Sequence, residues 1–300
     1  MIPDQLLKVL TEQGIDFSQS ISLRSYSTFR IGGICELGIF PDTKDKLVKA
    51  LSACISFGVT YRVIGKGSNL LFSDGLTEGA CIFTERMSEI SVNGDLITAD
   101  SGASLASLAS KAAENSLSGL EFAKGIPGSV GGGVYMNAGA YGGEISTVLV
   151  SSTAYDTGSG KTVTLSKSET EFSYRHSVYM EKKLVCLSAT FALVKGDKAA
   201  IEGKMKEYAQ SRREKQPLEL PSAGSYFKRP EGHFAGKLIE DCGLKGLRVG
   251  DAAVSEKHAG FIVNLGNATA SDVLALEEKI KNAVMDKYGV TLEREVRKVE

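Results

Sequence analysis

The sequence has no tryptophan and only 6 prolines in 300 residues, and its charges all but cancel, with 35 Lys+Arg against 36 Asp+Glu. A net charge of −1 supplies no general attraction for nucleic acid or an anionic membrane, although it leaves room for a local basic pocket. The 5 cysteines (Cys35, Cys54, Cys81, Cys186 and Cys242) are odd in number and form no CxxC pair. That argues against a disulfide framework or a zinc site and for a reducing compartment. The start, MIPDQLLKVLTEQG, lacks the basic end, apolar core and small-residue cleavage site of a secretory signal. The one long uncharged stretch, Gly125–Gly143, matches a membrane span in length, but Pro127 and its glycines make a lipid-exposed helix a poor reading. Repeats and low-complexity tracts are also missing. A cytoplasmic soluble protein is the expectation. At 42% apolar and 24% charged residues, the chain is composed like a globular protein of about two domains, which excludes bulk disorder.

Glycine is what the sequence has in quantity, and unevenly. Of its 33 glycines, 8 fall within Gly125–Gly143, where an even spread would place about two. Glycine is entropically costly to order, so such a cluster needs a local reason. Ile126, Val130, Val134, Tyr135 and Met136 make it too apolar for a flexible linker. Backbone wrapped closely around a large cofactor is the favoured reading, with a buried turn as the alternative.

Along the chain, residues 3–13 read as a helix stopped by Gly14, and 35–40 as a strand. Asp42 or Thr43 can cap the helix that follows, and 61–65 is a second strand running into GKGSNLLFSDG. Asn93-Gly94 signals a two-residue hairpin, and 104–116 a helix rich in Ala and Leu. Residues 148–194 read as β-rich with a turn at 157–160, and 197–215 as a polar helix ending at a candidate linker, PLELPSAG. A short helix near 234–242, a strand around GFIVNL, a long helix at 271–288 and a final strand VTLEREVRKV complete the chain. This is an α+β pattern.

Several segments carry chemistry. GKGSNLLFSDG places backbone N–H groups after a strand, where they can cradle phosphate oxygens, yet it is neither a Walker loop nor a full dinucleotide fingerprint. In YRHS, Arg175 suits a carboxylate, with an ion pair to Glu169 or Glu171 as the bland alternative. If that segment is extended, His176 points away from Arg175. Ser225, after Gly224 in AGSYFKRP, has no GxSxG elbow around it and reads as a hydrogen-bond or proton donor rather than a nucleophile. Lys228, Arg229, Lys237 and Lys245 form either an anion pocket or a solvated face. In LEREVR, strand alternation puts Val290, Leu292, Arg294 and Val296 on one face and Glu293, Glu295, Arg297 and Val299 on the other.

Taken in order, SYSTFRIGG, GKGSNLLFSDG, GIPGSVGGGVYMNAGAYGGEI, YRHS, AGSYFKRP, LIEDCGLKG and LEREVR resemble the UDP-N-acetylenolpyruvoylglucosamine reductases. These are flavoenzymes of bacterial cell-wall synthesis, and the chain looks like their shorter type, without the extra tyrosine-bearing loop. The resemblance implies an α+β fold: a two-part FAD-binding region of the vanillyl-alcohol-oxidase-like (PCMH-type) flavin fold, with a smaller C-terminal α+β domain for substrate. It places the two FAD-binding parts at 1–85 and 86–215 and the substrate domain at 216–300. It implies tightly bound FAD and NADPH as reductant, with UDP-N-acetylglucosamine enolpyruvate reduced to UDP-N-acetylmuramate by hydride from reduced flavin N5. Arg175, Ser225 and Glu295 match the catalytic positions, Ser225 as proton donor and Arg175 with Glu295 at the developing enediolate. Gly65, Gly67, Ser68, Asn69, Leu70, Gly128, Ser129, Gly132 and Gly133 match the FAD loops. Tyr141, Tyr174, Lys245 and His258 match positions for substrate, and Lys228, Arg229 and Lys237 suit its diphosphate by their charge. The resemblance implies a role in cell shape and division too; no metal, nucleic-acid or membrane partner is expected, and the sequence leaves the oligomeric state open, with a monomer as the expectation. Two other readings remain open: a different FAD oxidoreductase of this fold, and a non-catalytic nucleotide-binding protein.

Overall fold

The structure, a computed structural model, describes residues 2–300. It divides into two compact units: Met1–Gln19, Glu36–Lys66 and Gly79–Ser211 form one, and Ser20–Cys35, Gly67–Glu78 and Arg212–Glu300 the other.

In the first unit, the helix Asp4–Glu12 ends where Gly14 takes φ +61°, the left-handed conformation that glycine tolerates. Thr43 caps the helix Lys44–Ser56 by accepting from the Lys46 amide at 3.2 Å, while Asp42 pairs with the Lys46 ammonium at 2.9 Å. These helices bury Leu6, Leu10, Leu47 and Leu51 with Leu37, Ile39 and Ile82, which come from a four-stranded sheet. In that sheet Tyr61–Ile64 runs parallel to Leu76–Phe83, which delivers the chain end at Ile64 to the first glycine loop.

A second, antiparallel sheet of this unit has the spatial order Lys161–Ser166, Leu149–Asp156, Leu184–Ala192, Leu96–Asp100, Ile90–Asn93. The expected hairpin is present with its turn moved by one residue: Asn93 pairs with Leu96, and Gly94-Asp95 form the loop, Gly94 at φ +61°. This register keeps Ile97 and Ala99 in the core, and a slip would turn them outward. The helix Leu105–Glu114, capped by Ser104, packs Leu105, Leu108, Ala109 and Ala112 into the same core.

In the second unit a sheet of order Ser222–Ser225, Phe261–Asn264, Ala252–Val254, Arg248–Val249 lies with the helix Ala270–Tyr288. That helix buries Val273, Leu276, Ile280 and Val284. A reciprocal capping box of Thr269 and Asp272 opens it and Gly289 at φ +66° closes it. The final segment departs from the expected continuous strand. Only Arg297–Val299 forms one, parallel to Leu70–Phe72. Upstream, Glu293 O and Glu295 N bond to Lys228 N and Tyr226 O, so the segment changes partners midway and the ladder breaks between them. The expected two faces survive the break, with Leu292 and Val296 buried and Glu293 and Arg297 exposed. Among the described residues, no helix is long and apolar enough to cross a membrane.

Candidate active site

Within the first unit, the glycine tract is ordered and contains a short helix, Val130–Met136, that its composition did not announce. Ser129 caps it, accepting from the Gly132 amide at 3.2 Å. Several of the tract's glycines serve close packing. A Cβ on Gly131 would lie 2.8 Å from the Ser101 Cβ, one on Gly133 3.2 Å from Leu105, and one on Gly143 2.6 Å from the Phe122 ring. Gly132 differs: it is exposed, and a Cβ on it would meet only the oxygen of its own cap, at 3.3 Å. Gly65 joins the first loop to this one, since a Cβ there would stand 2.1 Å from the Ser129 hydroxyl.

Beyond the helix the backbone carries strain. Asn137, Tyr141 and Arg175 are three of seven non-glycine residues with φ between +44° and +55° among those described. Left-handed residues of this kind persist only where their surroundings hold them. Asn137 is 1% exposed and its amide donates to Ser173 O at 3.0 Å while its side-chain oxygen accepts from Ser146 N at 2.9 Å. Ser173 and His176 exchange backbone hydrogen bonds at 3.2 Å, which makes YRHS a tight turn rather than an extended segment. His176 therefore does not simply alternate away from Arg175. Its Nε2 meets Glu181 at 2.8 Å, while Glu171 pairs with Lys182 and Glu169 with Ser166. The Arg175 guanidinium donates to Asn137 O and Gly139 O at 3.4 and 3.2 Å and lies against the Tyr174 ring. Tyr141 stacks on Tyr208 with ring centroids 4.3 Å apart and donates to Tyr208 O at 3.1 Å. Arg175, Tyr174, Tyr141 and the glycine tract thus belong to one neighbourhood. Asn137, its central buried residue, escaped sequence reasoning; the available signal was an asparagine ending a short apolar run, since Asn tolerates the left-handed region.

In the second unit, Gly67 is fixed at φ +61° with no room for a side chain, 1.9 Å from Tyr26 O to a would-be Cβ. Gly67 O accepts from Thr28 N, and Asn69 O from Arg297 N, so both carbonyls are spent on the protein. In a trans peptide the N–H opposes the C=O, so the amides of Ser68 and Leu70 face the other way, as an anion cradle requires. Asn69 also donates from its side chain to Glu295 O at 3.2 Å, which ties this loop to the segment carrying Glu295.

Ser225 closes its strand after a bulge at Gly224, φ +79°, and is exposed. Its neighbour Tyr226 is buried and accepts from Glu295 N at 2.9 Å. Ser225, Glu295 and the 67–70 loop are therefore brought together here, whereas Arg175 belongs to the other unit. The candidate cations all have partners: Lys228 with Glu293 at 3.1 Å, Lys237 with Asp241 at 2.6 Å, Lys245 with Glu240 at 2.7 Å, and Arg229 over the Phe234 ring. The Lys245 ammonium holds Glu240 below its ordinary range. His258 titrates below its ordinary value, first because it is buried and further because Lys245 is near. Its Nδ1 accepts from Gly260 N at 3.1 Å, which requires that nitrogen unprotonated.

No group of His, Cys, Asp and Glu among the described residues is arranged to hold a metal ion. Cys54 and Cys186 are not reactive candidates either: burial pushes each up to about 12.

Comparison with known proteins places this arrangement. The C-terminal domain family of UDP-N-acetylenolpyruvoylglucosamine reductase matches residues 216–299, and the FAD-binding domain family matches 36–166. A UDP-N-acetylenolpyruvoylglucosamine reductase of Clostridium novyi is 47% identical over 94% of this chain and 92% of its own length. The chain belongs to the UDP-N-acetylenolpyruvoylglucosamine reductase family. The crystal structure of a reductase of this name from Thermus caldophilus superposes with TM-score 0.81, at 33% identity, over 95% of this chain and 99% of the other. A berberine bridge enzyme variant shares the fold at TM-score 0.51 and 16% identity, over 64% of this chain and 44% of its own. The fold is thus the α+β flavin fold with a C-terminal domain of the reductase family, and FAD is its cofactor. The residues present fit that group: the Gly67 and Asn69 carbonyls are spent on the protein, which leaves the Ser68 and Leu70 amides on the opposite side, and Gly132 is exposed in the first turn of its helix.

Proposed function

We propose that the chain is the FAD-dependent reductase that converts UDP-N-acetylglucosamine enolpyruvate to UDP-N-acetylmuramate for peptidoglycan, with NADPH as reductant. The observation that carries the reading is 47% identity to a reductase of that substrate over nearly the whole of both chains. In the same reading, residues 1–85 and 86–215 hold FAD and 216–300 hold substrate, in a monomeric cytoplasmic enzyme.

Bound FAD supplies a hydride carrier that one substrate loads and another discharges. Gly65, Gly67, Ser68, Asn69 and Leu70 would hold its pyrophosphate, and Gly128, Ser129, Gly132 and Gly133 would lie close to its flavin. Hydride addition to the terminal carbon of the enolpyruvyl group builds negative charge on the adjacent carbon and its carboxylate. Arg175, permanently cationic, stabilises that charge from a turn already ordered by Asn137. Glu295 assists there only as a protonated or hydrogen-bonded carboxyl, because an ionised one would repel. Ser225, exposed at the end of its strand, gives the proton from its hydroxyl to the carbanion. Tyr141, Tyr174, Lys228, Arg229, Lys245 and His258 orient the sugar nucleotide. For the lysines this means sharing Glu293 and Glu240 with the diphosphate or exchanging them for it.

Stopped-flow absorbance tests the reading directly. The purified protein should be yellow, bleach with NADPH and regain its colour with UDP-N-acetylglucosamine enolpyruvate. Bleached flavin that this substrate fails to reoxidise would sink it.

A further inference from the structure

A buried carboxylate behind the second unit's candidate residues has no part in the chemistry above. Glu277 lies on the 270–288 helix and is 1% exposed. Its Oε2 accepts from the Tyr226 hydroxyl at 2.7 Å and faces Arg294 Nε at 3.6 Å, while its Oε1 meets the Lys281 ammonium at 2.5 Å. A carboxylate removed from water is tolerable only with such partners, and removing one partner of a buried set is costly. The Tyr226 hydroxyl titrates above its ordinary value, first from burial and then from the Glu277 charge, so it stays a donor. Arg294 keeps a second guanidinium nitrogen buried without a hydrogen-bond partner, which makes Glu277 its main compensation.

Two of the three residues that Glu277 grips, Tyr226 and Arg294, are the immediate neighbours of the two candidate catalytic side chains. Tyr226 follows Ser225, and Arg294 precedes Glu295. Tyr226 is buried where Ser225 is exposed, and Arg294 turns to Glu277 from the face that carries the buried Leu292 and Val296, so anchoring Tyr226 and Arg294 inward leaves Ser225 exposed and Glu295 off that core face. The two segments are also joined to each other, by Glu295 N donating to Tyr226 O at 2.9 Å and by the Phe227–Arg294 bridge. One carboxylate therefore fixes the register between the proton donor and its carboxyl companion.

We infer that Glu277 is a positioning residue for proton delivery by Ser225, acting through Tyr226 and Arg294. This rests on the reading under Proposed function. Glu277 itself touches no flavin-loop residue, and the Arg297–Asn69 backbone bond keeps the 67–70 loop tied when it is lost, so its loss acts first on the geometry of the protonation step, where a displacement near 1 Å costs about a hundredfold in rate.

The test uses the FAD-loaded full chain with Glu277→Gln, Tyr226→Phe and the double variant, each followed through both half-reactions. Reduction by NADPH should stay within about twofold of the parent, while reoxidation by UDP-N-acetylglucosamine enolpyruvate slows tenfold or more with a larger solvent deuterium isotope effect. The double variant should lose no more than the worse single one, because both cut the same linkage. Tyr226→Phe keeps the ring in the core, so it serves if Glu277→Gln does not fold. Equal slowing of both half-reactions in step with melting temperature, or reoxidation at the parent rate in either folded variant, overturns the inference. If the parent enzyme itself is not reoxidised by this substrate, the functional reading fails instead.

Discussion

At the scale of single residues, the side chains expected to do chemistry are held by neighbours that do none. Arg175 occupies a left-handed turn that Asn137 ties down, and Ser225 stands on a strand end whose next residue is locked into the core. Replacing Ser225 by Ala removes only a hydroxyl from an exposed site. Flavin reduction by NADPH should be nearly intact and reoxidation by the enolpyruvyl substrate slower by about two to four orders of magnitude. Stopped-flow absorbance separates the two, and equal slowing would contradict a proton-donor role. Arg175→Lys keeps the charge but loses the planar fork that reaches both Asn137 O and Gly139 O. Its reoxidation rate should drop about a hundredfold with flavin content unchanged. The residue types at these positions were readable in the sequence. Asn137 and Glu277 were not, because their importance lies in what they touch across 36 and 51 residues of chain respectively, at Ser173 and Tyr226.

At the scale of elements, the glycine cluster answers the question it raised in two ways. Part of it opens backbone at the end of the 130–136 helix, and part of it lets Gly131, Gly133 and Gly143 pack against Ser101, Leu105 and Phe122. Composition alone weighs these equally, since both uses require the absence of a Cβ. The 67–70 loop is the sharper case. Gly67→Ala demands a left-handed alanine and drives its Cβ onto the Tyr26 carbonyl, a backbone atom that has no rotamer to escape into. Strain of this kind costs about 1–3 kcal/mol. The variant should purify with most of its flavin missing, read as the ratio of absorbance at 450 to 280 nm at about the flavin and protein bands. A fully loaded yellow variant would show that the 67–70 turn does not shape the cofactor site. Strand VTLEREVRKV illustrates a limit of periodicity: alternation correctly sorted its buried and exposed faces but said nothing about its change of partner after Glu295.

At the scale of the whole molecule, pH acts on stability through a half-buried imidazole. His258 titrates below its ordinary value in the fold, whereas an unfolded chain takes up the proton near pH 6.5. Below about pH 6.5 the unfolded state therefore binds more protons, so the stabilisation is present above that value and is lost as the pH falls through it. Thermal melts of the parent should drop as the pH falls below about 6.5, and His258→Gln should flatten that fall. An unchanged slope would mean that His258 is not responsible. The sequence by itself determined the element types, the ordered set of motifs and hence the family, because hydrophobic period, caps and turn residues act over a few neighbouring positions. It also determined that cations, glycines and one serine were available for the chemistry. Only the tertiary structure decided that residues 20–35 and 67–78 fold with 212–300, and that Asn69 bonds to the segment of Glu295. It alone decided, too, that each candidate lysine already holds a carboxylate. Those outcomes depend on pairings between segments up to more than two hundred residues apart, where loop closure is set by which surfaces bury one another and leaves no periodic trace in the chain.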